Sequence, residues 1–117
     1  MRFYKLSNPG GLQAVKAALE ALDSWVQADS EGGVRVVKIE RIRTTPGMLE
    51  ALVRISYKAR SRRAWSDLFM LEAQQVGLEV FLEVHRISGI GRTDPDFLVD
   101  SLAKRLALQA VDDTGVN

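Results

Sequence analysis

The chain has one histidine, His85, and Glu83 precedes it by two residues. On an extended strand that spacing puts both side chains on one face, where a carboxylate can orient an imidazole for proton transfer. Ser88 is close in sequence, but no nucleophile-elbow pattern surrounds it, and a Ser-His-acid hydrolase needs three converging groups with an oxyanion hole. A surface histidine in a charged ladder is the stronger reading. Glu79 and Glu83 share the same face, yet four strand residues separate them by roughly 13 Å. Paired catalytic carboxylates sit about 5–9.5 Å apart. Asp94, Asp96 and Asp100 fall where a helix begins, and acids there are explained by the positive end of the helix dipole. With no cysteine in the chain, thiol catalysis, disulfides and cysteine-based metal sites are excluded. The residue types therefore argue against an enzyme and imply no cofactor and no metal.

Two anion-binding patterns remain. Gly89, Gly91 and Arg92, in Gly89-Ile90-Gly91-Arg92-Thr93, join a strand to a helix start, where free amides and an arginine suit an anion. The dinucleotide fingerprint is incomplete, since no third glycine follows at the required spacing, and there is no phosphate-loop lysine. The stronger pattern is basic. Arg41 and Arg43 approach a hairpin tip, and Lys58, Arg60, Arg62 and Arg63 follow the return strand. Arginine forks bind phosphate or carboxylate oxygens in pairs. These six residues are the candidate contact site for nucleic acid or for an acidic protein surface.

The formal net charge of +1 conceals this clustering. Residues 35–63 hold nine basic and two acidic side chains, and the rest of the chain holds seven basic and thirteen acidic. A fold that keeps the two groups apart presents one cationic and one anionic surface. A length of 117 residues with 46% hydrophobic and 26% charged residues fits one globular domain, taken as 1–117, with 112–117 as a frayed tail. The longest apolar run, Leu68 to Leu71, is too short to cross a membrane, and no signal peptide is visible. A cytoplasmic location is the matching expectation.

The elements that must position these residues follow from periodicity. Arg2 to Leu6 reads as a strand, and Asn8-Pro9 as a helix start. Leu12, Val15, Leu19, Leu22 and Val26 then recur at helical spacing. Val34 to Thr44 and Met48 to Tyr57 read as a β-hairpin around Thr45-Pro46-Gly47, the second strand alternating with period two. Ser61 to Val76 reads as a second helix, with Trp65, Leu68, Phe69, Ala73 and Val76 inward and Gly77 as its stop, and the run Leu68 to Leu71 fits a buried strand as the alternative. Leu78 to Ile87 alternates as a strand. A last helix starts at Pro95, capped by Thr93 or Asp94, with Leu98, Leu102, Leu106 and Ala110 along one stripe.

The resulting β-α-β-β-α-β-α order resembles the ferredoxin-like βαββαβ sandwich in its first six elements. That likeness implies a four-stranded antiparallel sheet with two helices on one face and an additional C-terminal helix. It carries no function, because many unrelated functions share the topology. On the open face Phe81 and Phe3 are the only candidates for base stacking, and two glutamates flank Phe81. The sequence therefore points to a small non-catalytic α+β module that acts through protein–protein contacts, most simply as a homodimer. The alternative is a non-specific nucleic-acid binder using the segment Arg41–Arg63.

Overall fold

A computed structural model describes residues 2–28, 32–59, 64–89 and 93–107, together with the backbone of 110–112. The elements run β1 (Arg2–Ser7), α1 (Gly11–Leu22), β2 (Val26–Ala28), β3 (Val34–Thr45), β4 (Met48–Lys58), β5 (Ala64–Val76), β6 (Glu79–Ser88), α2 (Pro95–Arg105) and β7 (Ala110–Asp112). All strands join one antiparallel sheet in the order β2-β3-β4-β5-β6-β1-β7. The sheet is a curled half-barrel. β2 and β7 are three-residue pieces at its two rims.

Both helices cover one face, called inner below. Leu49, Ala51, Val53 and Ile55 of β4 and Phe69, Leu71 and Ala73 of β5 are buried there with Val80, Leu82 and Val84 of β6. α1 contributes Val15, Leu19 and Leu22, and α2 contributes Leu98, Val99 and Leu102 to the same core cluster. Fully burying a side chain of this size contributes about 1.5–3 kcal/mol relative to leaving it exposed. The long central strands and both helices thus share one core.

The structure overturns the ferredoxin-like expectation of a four-stranded sandwich with three helices. Residues 64–76 form β5, a central strand paired with β4 on one side and β6 on the other. The run Leu68-Phe69-Met70-Leu71 is apolar at every position, so it fits a helical stripe as well as a strand. Its Leu, Met, Glu, Ala and Gln content even favours helix locally. Tertiary pairing decides: Asp67, Phe69, Leu71 and Ala73 turn to the inner face, while Ser66, Leu68, Met70 and Glu72 turn to the outer one. Gly77, at φ 63°, is part of the two-residue turn between Val76 and Glu79 rather than a helix stop. β5 and β6 therefore stand between β4 and β1.

Three smaller differences have local causes. α1 begins at Gly11 with Gly10 as N-cap, while Asn8 sits at φ 52° in the preceding turn. α1 ends at Leu22 because Asp23 leaves the helix and its Oδ1 accepts the Ile39 amide at 2.9 Å. Val26 consequently lies on a strand, opposite Val36. The last helix lies beside α1 on the inner face and stops at Arg105, short of the stripe position Ala110, which pairs with β1 through the backbone. The tail positions 113–117 lie outside the described residues, and Asp112 ends β7.

Candidate functional site

Two regions hold the polar groups that local folding leaves for function. The first is the outer sheet face, which neither helix covers. Strand alternation and the registers lay its residues out in rows. Arg41, Leu52, Met70 and His85 form one row across β3 to β6, and Arg43, Glu50, Glu72 and Glu83 form the next. A bulge at Glu40, between Ile39 and Arg41, keeps Arg41 and Arg43 on this face.

Charge on this face splits across the strands. β3 and β4 present Lys38, Arg41, Arg43, Arg54 and Lys58 against Glu40 and Glu50. β5 and β6 present Glu72, Glu79 and Glu83 with no lysine or arginine. The two acids on the basic side are engaged. Arg54 Nε donates to Glu40 Oε1 at 2.9 Å and its Nη1 to Ser66 Oγ at 3.1 Å, and Arg41 Nη2 lies 3.7 Å from Glu50 Oε1. At the far side Lys5 Nζ is 3.9 Å from Glu79 Oε1. Exposed pairs of this kind are worth about 0–1 kcal/mol, so they shape the field more than they hold the fold.

Between the charged columns the outer face is apolar. Leu52, Leu68 and Met70 are half-buried at its centre. At one end Val26 and Val36 remain exposed, at 56% and 36%. A groove of about 540 Å³ opens beside them, lined chiefly by Val34, Val36, Ser56, Lys58, Ala64 and Ser66.

The second region is at the same end of the inner face. Tyr57 and Trp65 stack with ring centroids 4.5 Å apart, and Trp25 stacks on Phe97 at 5.9 Å. The Arg35 guanidinium lies between the two pairs, 5.5 Å from the Tyr57 ring centre and 5.1 Å from that of Phe97. A cation over aromatic faces is stabilised by about 0.5–2 kcal/mol. Gly33 permits this closeness, because a Cβ there would fall 1.9 Å from Tyr57 Oη. Close by, Asp67 is fully buried; its Oδ2 accepts the Thr93 amide at 2.9 Å and its Oδ1 lies 3.5 Å from Arg86 Nε. Arg86 Nη2 donates to the Thr93 carbonyl at 2.6 Å. This cluster ties β5 and β6 to the start of α2, where Asp94 caps the helix by accepting the Asp96 amide.

Of the sequence-derived candidates, Arg41, Arg43 and Lys58 share the outer face; Arg60, Arg62 and Arg63 lie outside the described residues. Gly91 and Arg92 also lie outside them. Gly89 has φ +119°, and a Cβ there would meet Asp67 Oδ1 at 2.0 Å, so glycine is required by the approach of this loop to β5. His85 faces outward with Nε2 3.9 Å from Glu83 Oε1 and without a hydrogen-bond partner. Among the described residues no three metal-ligating side chains converge, and no helix is long and apolar enough to cross a membrane.

No protein-family model, curated protein or solved structure matches the chain.

Sequence reasoning missed the inner aromatic–arginine cluster and the outer apolar centre. Both depend on β5. With 64–76 taken as a helix, Trp65 loses its place beside Tyr57, and Leu68 and Met70 lose theirs beside Leu52. The available signal was the unbroken run Leu68 to Leu71, which a strand covered on both faces explains as well as a helical stripe.

Proposed function

We propose that the protein is a non-catalytic interaction module that self-associates through the outer face of its sheet. The observation that carries this reading is the uncovered face itself, with Leu52, Leu68 and Met70 half-buried at its centre and opposite charge on its two sides. A contact face needs an apolar centre that loses water and a polar rim that sets orientation. The groove beside Val34 and Val36 adds shape to the same face.

Binding of nucleic acid along Arg41–Arg63 receives less support from the same geometry. Arg41 and Arg54 already lie against glutamates, and Glu72, Glu79 and Glu83 share the face that a phosphate backbone would approach. Each uncompensated acid in a phosphate footprint opposes binding.

Sedimentation equilibrium with the unaltered chain and Leu52→Glu tests the reading. The unaltered chain is expected to dimerise at about 100 μM, and Leu52→Glu to remain folded and monomeric. A monomeric unaltered chain that instead shifts single- or double-stranded nucleic acid at low salt would reverse the order of the two readings.

A further inference from the structure

We propose that the second copy packs face to face on the outer sheet surface about a two-fold axis running along the strands, with the basic β3 side of each copy over the acidic β5–β6 side of the other. This rests on the self-association reading above and adds the geometry of the contact.

A two-fold contact needs a surface complementary to itself. Two directions for an axis in the plane of the sheet differ in what they bring together. An axis across the strands lays each strand column over its own counterpart, setting Lys38, Arg41 and Arg43 of one copy against the same three residues of the other. The acidic columns would repel in the same way, and like-charge juxtaposition suppresses such pairings. An axis along the strands exchanges the two sides of the sheet while keeping every residue at its height. Arg43, Glu50, Glu72 and Glu83 occupy one cross-strand row, so this axis carries Arg43 over the acidic end of that row in the second copy. In the adjacent row Arg41, Leu52, Met70 and His85 are aligned, which brings Leu52 and Met70 next to the axis, with Leu52 of each copy over Met70 of the other. Stacked sheets commonly align their strands within about 30°, so the arrangement lies within ordinary sheet packing.

The availability of these residues agrees with the geometry. Arg41 and Arg43 are exposed, and Glu72 and Glu83 are half-exposed. Arg43, Glu72 and Lys38 form no ion pair among the described residues. Glu50, the acid on the basic side of the row, is held by Arg41.

The test is charge reversal read by sedimentation equilibrium at low salt, with circular dichroism to verify folding. One variant carries Arg41→Glu and Arg43→Glu, a second carries Glu72→Arg and Glu83→Arg, and a third carries all four. Each pair of reversals should weaken self-association by at least about tenfold, and the fourfold variant, whose two sides have exchanged sign, should return to within about threefold of the unaltered chain. Since the chain has no cysteine, a second measurement is available in Arg43→Cys and Glu83→Cys variants. Mixed and treated with a short bis-maleimide, which spans the gap between stacked sheets that a disulfide does not, they should cross-link to each other, and Arg43→Cys alone should not. A dimer indifferent to both reversals, or one in which Arg43→Cys cross-links to itself, overturns the axis and leaves self-association standing. An unaltered chain that stays monomeric overturns self-association itself.

Discussion

The two faces of the sheet are built from the same strands and obey different rules. Inward from β5 point Phe69, Leu71 and Ala73, all fully buried beneath α1 and α2. Outward from the same strand point Leu68, Met70 and Glu72, half-buried without any helix above them. The inner face admits a carboxylate only where it is satisfied, as Asp67 is by the Thr93 amide and Arg86. The outer face mixes leucine and methionine with charge. Packing sets the identity of inner residues, whereas outer residues are free to be chosen for an encounter.

Substitutions separate the faces by the size of their effect. The largest is expected at the centre of the core: Phe69→Ala should lower the stability of the fold by about 3–5 kcal/mol, read from urea denaturation. A loss under 1 kcal/mol would mean that the inner face is not the tightly packed one. Next is Gly89→Ala, which forces a Cβ against Asp67 at φ +119° and should cost about 2–3 kcal/mol in the same assay. Asp94→Ala removes the cap of α2 and should cost about 1 kcal/mol, with the loss of protection in hydrogen exchange concentrated over 95–98. Smallest for the fold is Arg54→Gln on the outer face. Removing its ion pair with Glu40 should change monomer stability by less than about 1 kcal/mol. An outer-face change that unfolds the chain as readily as Phe69→Ala would erase the distinction.

Part of this architecture was legible in the sequence. The alternation from Leu49 to Tyr57, the Pro46-Gly47 turn and the alternation from Glu79 to His85 all correspond to strands with those faces. The last helix was legible in its start at Pro95, with Asp94 as the cap of the two candidates, but not in its end at Arg105. The failure lay at 64–76. A strand buried on one face and half-covered on the other carries apolar residues at successive positions, which erases the period that separates strand from helix. Gly77 compounded the error, because a glycine ends a helix and turns a hairpin equally well. The face membership of Lys58, Glu79, Glu83 and His85 was readable from alternation, whereas that of Arg41 and Arg43 was not, because the bulge at Glu40 resets the period. The arrangement in rows was not readable either, because it required the strand order.

The rims of the sheet carry a consequence of their own. β2 offers three residues at one margin and β7 three at the other. β2 covers only Val34 to Val36 of β3, and beyond them the edge is broken by the Glu40 bulge and carries Arg41 and Arg43, devices that discourage ladder growth. Strand-by-strand extension from that margin is thereby disfavoured.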